Sequence, residues 1–213
     1  RVLTTTAELG GHASTMRAAA AKLHRETKKT AGNGSLMRTA AVTLPYLDDP
    51  AAMAEAARTV SGLTHFDDLA GDACVLWCSG IRRAVLNGSF DGVREGLRLL
   101  PAQRRDQWSD WLTDAEARPP GTFMPNGFVV QALQAAWSSI VHAPGHGTEH
   151  LQQSLYAAVR IGNDTDTVAA IAGALLGARW GSEAIPQTWR DTVHGWPGLT
   201  GSDLQKLTLS ATR

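Results

Sequence analysis

The run Gly162-Asn163-Asp164-Thr165-Asp166-Thr167-Val168-Ala169 places two carboxylates and two hydroxyls within six residues, directly before a segment that is almost wholly apolar. Carboxylate, hydroxyl and backbone carbonyl oxygens are hard donors, suited to Mg²⁺, Mn²⁺ or Ca²⁺ rather than to zinc. Asp164 and Asp166 alternate and can converge on one ion in a turn, and Thr167 can add its hydroxyl where a helix begins. The competing reading is helix capping, in which an Asp accepts backbone N–H bonds and complements the helix dipole. One Asp suffices for a cap, whereas two carboxylates beside an apolar helix repel unless something positive lies between them. On spacing alone both readings stand.

A second segment, Ala31-Gly32-Asn33-Gly34-Ser35-Leu36-Met37-Arg38, offers close-approaching backbone N–H groups able to line a site for a diphosphate or a sugar. It is not a Walker loop, because no Lys-Ser/Thr follows the glycines at the required offset. A third, Leu63-Thr64-His65-Phe66-Asp67-Asp68, sets a histidine in a loop before a helix, where it either contacts a ligand or merely caps. His142, His146 and His150 recur every four residues, but Pro144 and Gly145 break the helix that would align them on zinc. Cys74 and Cys78 share one helical face inside an apolar pattern and read as reduced core thiols of a cytoplasmic protein, not as a disulfide framework.

These residues need elements to hold them. The chain has 213 residues, is 43% hydrophobic and carries 20 basic against 20 acidic side chains, enough apolar content for a substantial core. Zero formal charge gives no electrostatic reason to expect a nucleic acid or an acidic membrane as partner. No stretch reaches the roughly 18 apolar residues of a bilayer span. The first residues, Arg1-Val2-Leu3-Thr4-Thr5-Thr6, lack both a starting Met and a secretion pattern, which suggests a fragment or a processed product. Alanine is the commonest residue and β-branched runs are scarce, so helix is favoured over sheet.

Asp49-Pro50 predicts a helix over about 51–62, and Asp67 or Asp68 one that Asn87-Gly88 stops. Further helices are expected over Phe90–Leu100, 102–116 (with Trp108 and Trp111 turned to the core), 128–141, 149–160 with Thr148 as N-cap, 166–180 and 202–211. Ala169, Gly173 and Gly177, four apart, predict a face on which a neighbouring helix approaches closely, and hence deep burial. The expectation is one all-α domain over 1–213.

Taken in order, the segments A-G-N-G-S-L-M-R-T-A at 31–40, L-T-H-F-D-D-L-A at 63–70, N-G-F-V-V-Q-A-L at 126–133 and G-N-D-T-D-T-V-A-A-I-A-G-A-L-L-G-A at 162–178 resemble the ADP-ribosylglycohydrolase family, which includes the dinitrogenase-reductase-activating glycohydrolase. The resemblance runs from about residue 30 to 181 and is poor over 1–29. It implies an all-α fold around a centre of two Mg²⁺ or Mn²⁺ ions, which orient ADP-ribose and a water while the glycosidic bond at the ribose anomeric carbon is cleaved. It further implies metal ligation by Asp164, Asp166 and Thr167, a substrate loop at Asn33, Gly34 and Ser35, and pocket contacts from His65 and Phe128. The implied partner is an ADP-ribosylated protein or a small ADP-ribosyl compound. Nothing in the sequence fixes the oligomeric state.

One departure bears on activity. The family carries a Thr-Asp-Asp-Thr run upstream of the Gly-Asn-Gly loop and an acidic residue nearer the N-terminus. No Thr-Asp-Asp occurs here, and the paired acids Asp48-Asp49 and Asp67-Asp68 follow the loop. The chain therefore reads as the C-terminal two-thirds of a family member, lacking half the metal shell and the acid/base group. Alone it is expected to bind metal weakly and turn over little. The competing class is a catalytically incomplete fragment or a non-catalytic ADP-ribose-binding module. Two enzyme alternatives fit less well. Asp67-Asp68-Leu69-Ala70-Gly71-Asp72 is off by one from a prenyl-diphosphate Mg²⁺ motif, and no hydrophobic strand precedes Asp164 as an aspartate-based phosphatase requires.

Overall fold

Orphaned helix-end groups are taken up where the sequence offers partners for them. A computed structural model describes residues 12–211, so Arg1 to Thr6 lie outside the described residues. Helix α1 (Ala13–Thr27), not anticipated from the sequence, ends at Lys28, whose backbone at φ 53° lets its N–H reach the His24 carbonyl. Helix α2 (Pro50–Gly62) starts as expected, with Asp49 accepting from the N–H groups of Ala51 and Ala52 at 3.0 and 2.9 Å. Helix α3 (Asp68–Asn87) is capped by Asp67, which accepts from Leu69 N–H at 2.9 Å, and is closed by Gly88 at φ 60°.

The segment 90–100 departs from the expected single helix. It is one turn of helix, α4 (Gly92–Glu95), followed by a 3-10 turn, Gly96–Leu99. Close approach to α3 is the cause: a Cβ on Gly92 would sit 2.4 Å from the Ser79 carbonyl oxygen, and one on Gly96 2.9 Å from Ser79 Cβ. Helix α5 (Ala102–Ala117) buries Trp108 completely, while Trp111 is half-buried and meets it edge-on at 4.9 Å.

Helices α6 (Val129–Val141), α7 (Thr148–Arg160) and α8 (Thr165–Trp180) follow. Thr148 is not the N-cap. Gly145 and Gly147, at φ 90° and 57°, turn the chain early, so Gly147 holds the cap position without a side-chain bond and Thr148 already lies in the first turn. The small-residue stripe of α8 is not its buried face either. Val168, Ile171, Ala172, Leu175 and Leu176 are buried, whereas Ala169, Gly173 and Gly177 are half-buried. Larger side chains remove more apolar area from water, so they set the helix's rotation. Leu155 of α7 lies 3.6 Å from where a Gly173 Cβ would be, and nothing lies within 4 Å at Gly177. After α9 (Gln187–Thr192), a two-residue hairpin unforeseen in the sequence pairs β1 (His194–Gly195) with β2 (Leu199–Thr200), and α10 (Gly201–Ala211) follows. The architecture is all-α.

Helix α3 is the axis of the core, buried from Ala70 to Ile81 and packed by α2, the 92–99 segment, α6 and α8. Trp77 Nε1 donates to Ile171 O of α8 at 2.9 Å. Cys74 and Cys78 are free and buried; burial raises both thiols, Cys78 to about 12, so neither is a thiolate at neutral pH. Among the described residues no helix is long and apolar enough to cross a membrane.

His150 belongs to the packing, not to a metal. Its Nδ1 accepts from Trp180 Nε1 at 3.0 Å, because an indole can only donate, which leaves Nε2–H to donate to Ile140 O at 2.9 Å. Burial holds it below the usual histidine range, against the pull of the Ile140 bond and with the charges of His146 and Arg179 adding. A depressed histidine contributes stability that is complete above the unfolded pKa of about 6.5 and is lost as pH falls through the folded value. The melting temperature is therefore expected to drop between about pH 7 and pH 5, and His150→Gln to drop less over the same interval. Equal slopes in a pH series of thermal melts would show that His150 is not responsible.

Candidate functional site

Four loops meet on one side of the N-terminal end of α8. The glycine loop is zipped to the segment before α6: Val129 N–H donates to Ala31 O at 2.9 Å, Asn33 N–H to Gly127 O at 3.1 Å, and Gly32 pairs antiparallel with Phe128. Asn126, fully buried, ties both to the acidic turn. Its Nδ2 donates to Gly162 O at 3.1 Å, its Oδ1 accepts from Asp164 N–H at 2.9 Å, and its backbone carbonyl accepts from Asn33 Nδ2 at 2.9 Å.

Asn33 and Asp164 then meet directly. Asn33 Nδ2 donates to Asp164 Oδ2 at 2.7 Å across 131 residues of sequence. Asp164 occupies the N-cap position of α8 yet makes no side-chain cap bond. Its carboxylate is turned to the glycine loop instead, so the capping reading does not describe it. The Asn33 amide holds the Asp164 carboxyl below the ordinary carboxylate range, against partial burial and with the side chains of Thr167 and Asp166 adding. It is ionised at neutral pH. Asp166 is exposed in the first turn of α8, and Thr167 is buried with its hydroxyl 3.6 Å from Met37 Sδ.

His65 lies over the glycines. Its Nε2 is 3.4 Å from where a Gly32 Cβ would stand and 3.2 Å from a Gly34 Cβ, so side chains at either position would press on the ring. Burial first, then the Arg38 charge, push His65 below the usual histidine range and keep it neutral. Phe128 is 40% exposed beside Gly32. Ser35 is placed differently: its hydroxyl is fully buried and accepts from Ser61 Oγ at 2.9 Å, with Cys74 Sγ at 3.7 Å, so it supports the loop from below. Asn33, Gly34, His65, Phe128, Asp164, Asp166 and Thr167 are thus brought to one region, and Ser35 is its foundation.

The joint role of Asn126 was not legible beforehand. An Asn-Gly pair after Pro125 signals only a turn. Asn126→Ala strands Asp164 N–H and Gly162 O, and is expected to cost about 2 kcal/mol and to lower the melting temperature by about 4–8 °C. A change under about 1 °C in calorimetry would show that the amide is dispensable.

Asp164, Asp166 and Thr167 supply only oxygen donors, which fit a hard divalent cation. Among the described residues no group of three or more His, Cys, Asp or Glu gathers to hold one. An ion there would complete its shell with water or ligand oxygens, as Mg²⁺ commonly does. A cavity of about 720 Å³ lies elsewhere, lined by residues that include Gly177, Ile185, Arg190 and Leu204, and none of the candidate residues borders it.

The family model described as ADP-ribosylglycohydrolase matches residues 3–212, so the likeness extends well past the 30–181 window and takes in the N-terminal segment. ADP-ribosylarginine hydrolase Tri1 of Pseudomonas putida is 28% identical over 167 residues, covering 77% of this chain and 42% of that protein. Human ADP-ribosylhydrolase ARH3 is 23% identical, covering 79% and 55%. The ADP-ribosyl-[dinitrogen reductase] glycohydrolase of Rhodospirillum rubrum is 26% identical, covering 75% and 49%. The chain spans about half the length of the curated relatives it matches. A solved structure, an ADP-ribosylglycohydrolase-related protein complex, shares the fold at a TM-score of 0.68 and 23% identity, over 100% of this chain and 79% of that one. With a match over nearly its whole length, the chain belongs to the ADP-ribosylglycohydrolase family.

Proposed function

We propose that this chain carries the ADP-ribose-binding and metal-binding half of a hydrolase that cleaves the glycosidic bond between ADP-ribose and a protein side chain or small acceptor. The observation that carries the reading is the Asn33–Asp164 hydrogen bond, which sets an ionised carboxylate against a glycine-rich loop instead of against its own helix. Asp164, Asp166 and Thr167 are the residues that would hold Mg²⁺ or Mn²⁺, one of the two ions the family resemblance implies. When bound, such an ion orients a water and the ribose hydroxyls and makes that water more acidic.

The chain's own side chains have separable tasks. The absence of a Cβ at Gly32 and Gly34 lets the His65 ring pack on the loop, and the loop's remaining backbone would meet the diphosphate. Neutral His65 covers the two glycines, and exposed Phe128 offers an apolar face. The carboxylates of Asp164 and Asp166 would offset the charge of a bound divalent ion, so that the ion could lie beside the ribose without opposing the positive charge that develops as its glycosidic bond lengthens. The two buried free thiols fit a reducing compartment, the cytoplasm. The acceptor is left open between a modified protein group and a small ADP-ribosyl compound.

A second reading, ADP-ribose binding without cleavage, draws on the small acidic set: two carboxylates where a two-ion centre needs more. Calorimetric titration separates the readings when paired with an assay of ADP-ribose release from an ADP-ribosylated protein. Mg²⁺ is expected to bind weakly alone and more tightly with ADP-ribose present, since the coupling is reciprocal. Binding without release favours the second reading, and no binding of ADP-ribose with or without Mg²⁺ removes both.

A further inference from the structure

The glycine loop and the His65 loop are joined by a side chain that the proposed function leaves unused. Arg38, just past the glycine loop, donates from Nη1 to Gly34 O at 3.1 Å and from Nη2 to Thr64 Oγ1 at 2.6 Å. Thr64 Oγ1 in turn lies 2.7 Å from His65 Nδ1. We propose that Arg38 and Thr64 are positioning residues that fix His65 as the tautomer with its proton on Nε2, aimed over Gly32 and Gly34.

The chemistry of the three groups gives the direction. A guanidinium has only donors, so Thr64 Oγ1 must accept from it. The hydroxyl proton is then left to donate, and among the described residues Thr64 Oγ1 has no partner besides Arg38 and His65. Donating to His65 makes Nδ1 the acceptor, and a neutral imidazole accepting at Nδ1 carries its proton on Nε2. A hydroxyl oxygen already engaged by a cation is a poorer acceptor and a better donor, which strengthens the same assignment. Among the described residues no protein atom hydrogen-bonds to Nε2, which lies on the ring edge packed beside the two positions where a Cβ is absent. An N–H held there serves an oxygen of a phosphate or a ribose lying on the glycine loop. That last clause rests on the function proposed above; the tautomer does not.

The test is nitrogen NMR of the chain labelled with ¹⁵N-histidine, His65 being assigned from the signal missing in His65→Gln. The expected spectrum shows His65 protonated on Nε2 alone. Thr64→Val removes the hydroxyl and Arg38→Met frees it to accept, so each is expected to give a mixture of tautomers, and Thr64→Ser to restore the single form. Added ADP-ribose is expected to shift Nε2, and to bind Thr64→Val roughly fivefold more weakly, the loss of about one hydrogen bond. A wild-type His65 protonated on Nδ1, or a Thr64→Val spectrum unchanged from wild type, overturns the proposal. A merely structural role would lower the melting temperature of both variants without moving the tautomer, and this too overturns it. A locked Nε2–H tautomer in a chain that does not bind ADP-ribose supports the positioning role and removes the functional reading instead.

Discussion

Asp164→Ala combined with Asp166→Ala is expected to lower Mg²⁺-dependent retention of ADP-ribose, and any Mg²⁺-dependent release measured on this chain or on a longer form that carries it, by more than about a hundredfold. Losing groups that merely orient metal ligands already costs about ten- to a hundredfold, and on the proposed reading two carboxylate donors go at once. Asp164 is the more costly of the pair. It alone is engaged by Asn33, so its loss also removes the direct side-chain tie between the glycine loop and the start of α8, while the link through Asn126 remains. Asp164→Asn alone keeps the shape and an oxygen but loses the charge, and should fall between wild type and the double variant. Thermal melts must accompany the assay, since the expected stability change is small: Asp164 makes no cap bond that α8 would miss. Retention unchanged in the double variant would remove the metal site and with it the mechanism.

Asp72→Ala should produce the largest loss of stability of any single substitution considered. The Asp72 side chain is 0% exposed, and it accepts from Arg58 Nη1 at 2.5 Å, from Arg104 Nε, and from Trp108 Nε1 at 3.3 Å. One carboxylate thus ties α2, α3 and α5. Its removal leaves Arg58, 26% exposed, without a counter-charge, and Arg104, 20% exposed, with only the exposed Asp68 carboxylate at 3.0 Å. Truncating one member of a buried ion pair costs about 3–5 kcal/mol, and the partial exposure of both arginines places this one near 3 kcal/mol. For a chain of this size that corresponds to a fall of about 6–12 °C in melting temperature. Adding Arg58→Met to Asp72→Ala should recover part of the loss, because fewer unpaired charges remain. A double variant no more stable than Asp72→Ala would contradict the charge argument.

Much of this fold was legible because local chemistry wrote it. Asp49-Pro50 and Asn87-Gly88 fixed helix ends through cap bonds and a left-handed closing residue, and the apolar period of 128–141 marked a helix that starts at Val129 and is buried almost throughout. Thr148 misled because backbone turns at Gly145 and Gly147 outweighed a hydroxyl's capping preference. The stripe Ala169, Gly173, Gly177 misled because small residues permit close approach without requiring it. The 92–99 segment followed its close packing on α3, a contact that helical periodicity alone does not encode. At the site, Asp164, Asn33 and His65 stood out by residue type and motif. Asn126, Arg38 and Thr64 did not, since their roles exist only once segments up to 131 residues apart are in contact.

The glycine loop rests on a layer of hydroxyls and a thiol: Ser35 Oγ accepts from Ser61 Oγ, Thr39 Oγ1 donates to Ser35 O, and Cys74 Sγ approaches both Ser35 Oγ and Thr39 Oγ1. All four side chains are sealed from water, so a change in any one leaves its neighbours unmatched with no solvent to replace it. Such a floor resists gradual retuning. Variation must therefore arise at the exposed margin, at Met37, Met124 and Phe128, where substitutions are cheap for the fold. Selection can diversify that margin while the glycine loop and its floor stay fixed.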